Sequence, residues 1–304
     1  MRSQRLRAAI ERRGARATQN REVCRLVAGR ADQLDGFVLD RLGDYAFGTV
    51  NQDEPPVTQA DLEALMEALG LKGLTLRSRQ KGGQGAVALE LGGALPERIE
   101  LMEGDARVVL RIHPQSLSYG LFPDLRPERL AGGQLQALGS VLNLYAYSGL
   151  FGIHAARAGA ERVVQVDALK STLGMIRANE EVNQVQTRRL CDDALAYCRR
   201  AQRRQERFDL VIHDPPTFGR TPKGRGRSLK DSLVELLEAS LSVVADNGRF
   251  LSVVNTHSIS AQEVERAHHQ AAQQAGVQLS LTRSLHVDAA APSELKGGWF
   301  RLRR

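Results

Sequence analysis

The chain has 304 residues and a mass of 33.4 kDa, enough for one large domain or two moderate ones, since domains run to about 100 to 200 residues. Its formal charge of +7 and pI near 9.6 suit an anionic partner, with RNA, DNA and an anionic membrane surface all fitting. No apolar run reaches the roughly 18 residues of a membrane span, and the arginine-rich start lacks the apolar core of a signal peptide. The three cysteines, Cys24, Cys191 and Cys198, form no C-x-x-C pair, which argues against structural zinc and for a reducing, cytosolic compartment.

Taken in order, residues 1–22 alternate arginines with alanines, and a helix there puts Leu6, Ala9 and Ile10 on one side and cations on the other. Such a basic arm can touch RNA phosphates or simply precede the domain as a solvated helix. Residues 24–27 and 36–41 read as strands, and the turn Leu42-Gly43-Asp44 into residues 45–50 is a β-hairpin pattern. A helix is expected over 59–70 and further strands over 74–77 and 86–91, giving a small α+β domain over 23–125.

The run from 141 to 167, VLNLYAYSGLFGIHAARAGAERVVQVD, reads as strand, glycine turn, helix and second strand. Val141, Leu142 and Leu144 form a buried parallel strand, Ser148-Gly149 a turn where backbone approaches a ligand, and Asp167 ends the next strand after Val163, Val164 and Val166. Ligands bind at that carboxyl edge of an α/β sheet, and a carboxylate there accepts both hydroxyls of a ribose. A dinucleotide site would want G-x-G-x-x-G; here Tyr147-Ser148-Gly149-Leu150-Phe151-Gly152 has one glycine too few. That favours a nucleoside without a diphosphate, S-adenosylmethionine above all, over an ordinary βαβ unit with no ligand. Further on, Asp192 and Asp193 precede a helix that either can N-cap.

Residues 208–212 are the fourth core strand of this unit, and His213-Asp214-Pro215-Pro216-Thr217-Phe218 stands at its carboxyl end. Two prolines remove backbone donors, so the loop displays carbonyls to an amine or base edge. Asp214 adds a carboxylate, and Phe218 offers a face on which an extruded base stacks for about 1 to 3 kcal/mol. His213, before the motif, reads as structural. In the glycine-rich segment that follows, Arg220, Lys223, Arg225, Arg227 and Lys230 would grip flanking phosphates, although a plain surface loop has the same composition. A helix over 233–244, a turn at Asp246-Asn247-Gly248 and a strand over 250–254 lead to Asn255, and Trp299 and Phe300 in the closing hairpin read as core.

With these motifs in view, NLYAYSGLFGIHAARAGA, VVQVDALKSTLGMIRANEEVNQV and VIHDPPTF resemble the class I methyltransferases of large-subunit ribosomal RNA that carry a DPP-type fourth motif. The resemblance runs from about residue 23 to the end and includes GFVLDRLGDY, GLFPDLRPER and LKGGWFRLRR. It implies an α/β, Rossmann-like fold with a mainly parallel seven-stranded sheet, S-adenosylmethionine as cofactor and a nucleic-acid base as substrate. By the same resemblance Asp124 and Arg126 border the cofactor, Arg126 meeting its carboxylate as a bidentate guanidinium. Leu125 stands where the family has glutamine or histidine. Asp193, with Asp192 as rival, would meet the adenine amine. Relatives that methylate cytosine C5 carry a nucleophilic cysteine after the last of these strands. Asn255 holds that position here, which favours a purine nitrogen such as guanine N7. The PUA-type module that often precedes this segment in the family is not expected here.

The expectation is thus a basic arm over 1–22, an α+β domain over 23–125 and a methyltransferase domain over 126–304, cytoplasmic and without metal. Asp214, Pro215, Pro216, Phe218 and Asn255 carry the reaction. Asp124, Arg126, Asn143, Tyr145, Tyr147, Ser148, Gly149, Asp167, Ala168, Asp192, Asp193 and Asp214 hold the cofactor. A cytosine-C5 enzyme, a methyltransferase for a small molecule or protein amine, and a non-catalytic RNA-binding protein are the competing readings.

Overall fold

The computed structural model describes all residues except 20, 52–54, 80–84, 114, 136–137, 221–225 and 287–294, with backbone only at 79, 218–220, 226 and 227. The described residues divide into two compact units, 1–126 and 127–286 with 295–304.

In the first unit, α1 (Arg2–Arg13) and α2 (Ala15–Thr18) precede a sheet built from β1 (Val23–Ala28), β2 (Phe37–Leu42), β3 (Tyr45–Val50), β4 (Gly73–Arg79) and β5 (Gly85–Gly92), in that order. β2 and β3 pair antiparallel across the two-residue turn Gly43-Asp44, Leu42 facing Tyr45. Gly43 has φ 69°, where a side chain would strain the turn. β3 and β4 run parallel, so a crossover is required, and α3 (Gln59–Leu69) supplies it. Thr58 and Asp61 form a capping box at its start, and left-handed Gly70 stops it. Leu26, Phe37, Leu39, Leu62 and Leu76 make the core, and Leu6 and Ala9 of α1 pack into it. Arg12 and Arg13 both bind the Asp32 carboxylate, at 2.5 and 2.6 Å, with Arg13 and Asp32 buried. Two cations of the N-terminal arm are therefore spent inside the unit. A separate hairpin, β6 (Arg98–Glu103) with β7 (Ala106–Arg111), follows.

The second unit holds α4 (Arg126–Gly133, all but its first residue), β8 (Ser140–Leu144), α5 (Leu150–Arg157), β9 (Arg162–Asp167), α6 (Lys170–Asn183), β10 (Arg188–Cys191) and α7 (Ala194–Arg203). It continues through β11 (Phe208–His213), β12 (Phe218–Arg220), β13 (Gly226–Ser228), α8 (Leu229–Leu241), β14 (Val244–Asn255), α9 (Ala261–Ala275), β15 (Gln278–Ser284) and β16 (Leu295–Arg303). Among the described residues its main sheet has seven strands in the order β10-β9-β8-β11-β14-β16-β15. The first five are parallel to one another, and β16 and β15 add antiparallel. The interior strands β8, β9 and β11 are buried along most of their length, as near-continuous runs such as Val163, Val164 and Val166 require of a sheet covered on both faces. Helices α7, α8 and α9 contribute Tyr197, Leu237 and Ala271 to the same core as Leu142, Val211 and Phe250. Residues 127–304 hold 24 Lys and Arg against 18 Asp and Glu, so nearly all of the +7 surplus lies in this part of the chain.

One buried charge organises the antiparallel end. Glu128 on α4 is fully buried, and its carboxylate accepts from Arg283 on β15, from the His286 backbone N–H at 2.6 Å and from the Trp299 indole on β16. Such a carboxylate is tolerated because every donor it needs is supplied. No helix among the described residues is long and apolar enough to cross a membrane.

Candidate active site

The turn after β8 is where the backbone departs most from ordinary geometry. Tyr145 and Tyr147 have φ of 55° and 49°, left-handed conformations that cost a side-chain-bearing residue about 1 to 3 kcal/mol each. Gly149, at φ 79°, begins α5. A Cβ on Gly149 would stand 2.9 Å from both Gln165 Oε1 and Ile176 Cγ1, and one on Gly152 would stand 2.6 Å from Gln165 Cδ. The two glycines therefore let α5 lie against β9. Below them Asn143 Nδ2 donates to Gln165 Oε1 at 3.0 Å, and Gln165 Nε2 donates to Thr187 Oγ1 at 3.1 Å. Asn143 is buried and its amide is engaged with this scaffold.

The folded turn brings the Tyr147 N–H to Asp167 Oδ2 at 2.9 Å, and the Leu169 N–H meets Oδ1 at 2.9 Å. With one backbone donor on each oxygen the carboxylate is fixed in orientation, and each oxygen keeps a lone pair for a hydroxyl. Ala168 is exposed, and so is Leu169 at 63%, an unusual degree for a leucine. The end of β10 is tied to this point by the Asp192 N–H on the Asp167 carbonyl at 2.9 Å. Asp193 is the N-cap of α7, accepting the Ala196 N–H at 2.8 Å, whereas Asp192 is paired with Arg200. Ser148 is buried and its carbonyl accepts from Asn179 at 2.9 Å. One sheet edge thus assembles an oriented carboxylate, a small exposed residue, an exposed apolar side chain and a second, exposed carboxylate.

At the end of β11 the half-buried Asp214 and buried Pro215 precede exposed Pro216. Thr217 Oγ1 donates to the Asn255 carbonyl at 2.8 Å, so the proline loop is fastened to the end of β14, where Asn255 is exposed. Immediately afterwards β12 and β13 pair antiparallel, Phe218 opposite Ser228 and Arg220 opposite Gly226. The basic segment therefore leaves the proline loop as a two-stranded ribbon. Lys223 and Arg225 lie outside the described residues, as do the side chains of Phe218, Arg220 and Arg227. Lys230 is exposed and ion-paired with Glu263 at 2.8 Å.

Residues 66–280 match the S-adenosylmethionine-dependent methyltransferase family. The chain belongs to that family. A ribosomal RNA large subunit methyltransferase K/L from Syntrophotalea carbinolica is 38% identical over 151 residues, which cover 48% of this methyltransferase and 20% of that protein. A ribosomal RNA large subunit methyltransferase I from Escherichia coli is 28% identical over 202 residues, covering 64% of this chain and 51% of that one. The chain thus spans about half, or less, of these curated relatives. A solved structure from Streptococcus mutans, described as a SAM-dependent methyltransferase, superimposes with a TM-score of 0.82 at 20% identity, over 98% of this chain and 80% of that one. This shared architecture agrees with the Rossmann-like fold expected from the sequence.

The cofactor of the family fits the donor set at the β9 edge: an oriented carboxylate for its ribose diol and an apolar surface beside it for a purine. Leu169 was not singled out from sequence, because an isolated leucine between an aspartate and a helix carries no motif. Asp124 and Arg126 belong to the first unit, where Asp124 is buried and Arg126 pairs with Glu22 at 2.6 Å. Tyr145 contributes its strained backbone at the edge, while its ring lies 5.7 Å from that of His213 in a T-shaped contact.

His213 is fully buried beneath the proline loop, and neither ring nitrogen has a hydrogen-bond partner among the described residues. Burial, and secondarily the nearby His268, push it down to about 3. It is neutral in the folded methyltransferase, and burial makes it a weak proton acceptor near neutral pH. The unfolded chain binds a proton at this residue below about pH 6.5 while the folded one does not until about pH 3, so its contribution is complete above 6.5 and lost as pH falls. Relative to pH 8, the wild type is expected to lose about 2 kcal/mol more stability at pH 5 than His213→Leu does. Urea melts at the two pH values check this, and parallel losses in both proteins would refute it. His268, also shifted down chiefly by burial, acts with the same sign and leaves a residual dependence in the variant.

Proposed function

We propose that this methyltransferase transfers a methyl group from S-adenosylmethionine to a base of 23S ribosomal RNA in the cytoplasm, with a purine nitrogen such as guanine N7 as the acceptor. The observation that carries the reading is the proline loop at the end of β11, fastened by Thr217 to the end of β14. The names of the relatives, large-subunit ribosomal RNA methyltransferases, and the basic ribbon beside the loop support RNA as the substrate.

The cofactor supplies an electrophilic methyl on its sulfonium. The protein's part is to hold the acceptor base in line with it, since a pre-positioned pair of reactants gives up little further entropy. Asp214 and the loop carbonyls accept the base's N–H groups. Guanine N7 carries no proton, so no general base is needed. The carboxylate of Asp214 also offsets positive charge developing on the purine.

The cysteines support nitrogen over carbon as the acceptor. Carbon-5 methylation requires a thiolate at the target. Cys198 is buried in α7, and burial pushes its thiol up to about 12; Cys24 is buried in the first unit. Cys191 is exposed but ends β10, with its Sγ 3.7 Å from the Ala168 carbonyl. Asn255, the last residue of β14, stands where relatives that methylate cytosine C5 carry their cysteine.

The test is mass spectrometry of ribosomal RNA nucleosides from a deletion strain beside its parent, with S-adenosylmethionine binding to the purified protein measured in parallel. One methylated nucleoside should vanish and return with wild type but not with Asp214→Ala. An unchanged nucleoside profile despite tight cofactor binding would move the substrate outside ribosomal RNA.

A further inference from the structure

The antiparallel end of the second unit contains a pocket of about 250 Å³ whose apolar wall includes Ala131, Leu135 and Trp299 and whose rim carries Arg249, Arg283 and Arg301. The three cations are not equivalent. Arg283 lies over the Trp299 ring at 5.6 Å and is neutralised by Glu128. Arg301 donates to the Asn247 carbonyl at 2.6 Å, a neutral partner. Arg249 has no hydrogen-bond or ion-pair partner among the described residues and is half-buried.

Arg249 and Arg301 are also register partners on the neighbouring antiparallel strands β14 and β16, which sets both side chains on the same face. Like charges directly opposite each other in a sheet are destabilising. Burial, and then the charge of Arg301, hold the Arg249 guanidinium below its usual value. Two uncompensated guanidiniums converging on a concave, mostly apolar site form an anion receptor, since a phosphate bridging them would relieve the repulsion and accept from both forks. Arg249 stands six residues before Asn255 on β14, roughly 20 Å along the strand at about 3.3 Å per residue. This is too far to act on the reacting base.

We propose that this pocket, with Arg249 and Arg301 as its ligands, is a second anchoring site that holds a backbone phosphate of the RNA substrate away from the target base. The identity of the anion as RNA rests on the RNA reading given above; the existence of the phosphate site does not.

Two probes separate these claims: sodium tripolyphosphate, and a single-stranded RNA of about twenty nucleotides, each titrated into wild type and Arg249→Gln/Arg301→Gln at several salt concentrations. S-adenosylmethionine affinity serves as the folding control and should not change, and the thermal midpoint should not fall, since the double variant removes the repulsion between the two strands. Wild type should bind both probes, the double variant should bind each about tenfold more weakly, and its log–log salt slope for RNA should fall by about 1 to 2. Wild type that ignores tripolyphosphate would overturn the phosphate site. Tripolyphosphate binding that depends on the two arginines, beside RNA affinity that does not, would overturn RNA as the ligand. Failure of wild type to bind any RNA would instead count against the RNA reading, with the tripolyphosphate arm still deciding the site.

Discussion

Asp167→Ala should weaken S-adenosylmethionine binding at least a hundredfold, and the reason lies in how this carboxylate is held. Each oxygen already accepts one backbone N–H, from Tyr147 and from Leu169, so the remaining lone pairs point in a fixed direction, as recognition of a ribose diol requires. Two hydrogen bonds to a charged acceptor contribute about 1.5 to 3 kcal/mol each, and about 3 kcal/mol in total corresponds to a hundredfold in Kd. Alanine also releases the Tyr147 N–H that balances the strained turn, so the loss includes the shape of the site. Titration calorimetry with S-adenosylmethionine and S-adenosylhomocysteine measures it, against a urea midpoint that reports folding. A Kd within threefold of wild type would remove Asp167 from the cofactor site.

The second large effect concerns stability. Glu128→Leu is expected to cost the second unit about 3 to 5 kcal/mol, because removing one partner of a buried pair strands the others. The Arg283 guanidinium, the Trp299 indole N–H and the His286 N–H would all lose their acceptor. Glu128→Gln keeps one acceptor oxygen and should cost less. In urea melts the Glu128→Leu/Arg283→Leu pair should be less destabilised than the sum of the single changes, as expected of residues sharing one network. A loss below about 1 kcal/mol for Glu128→Leu would mean that water replaces the missing oxygen.

The parallel half of the second unit was legible in the sequence for a simple reason: each of its buried strands is an apolar run followed by a turn signal. Asp167 and the Asp214-Pro215-Pro216 loop could be read directly because position at a strand end and residue type coincide. Asp193 was harder, since a cap and an adenine acceptor use the same residue in the same place, and the structure shows it capping α7. Asn143 was expected among the cofactor-holding residues; its side chain is buried and engaged by Gln165, a partner 22 residues away that no local pattern announces. Glu128 had no signal at all. A glutamate in the first turn of a helix is ordinarily a solvated dipole partner, and only the packing of β15 and β16 against α4 makes it interior. The ribbon of β12 and β13 escaped for the opposite reason, because glycine and arginine in alternation carry no strand periodicity.

The strand order β14-β16-β15 has a consequence for the sequence of events in assembly. β16, residues 295–303, lies between two strands that precede it in the chain. Until β16 pairs, the outer edge of β14 and both edges of β15 have no partner in this sheet. Unpaired edges of this kind template non-native pairing, so these edges are open to it in the interval before β16 pairs. The same segment brings Trp299 to Glu128, which means that the buried carboxylate acquires its last donor only when the sheet closes.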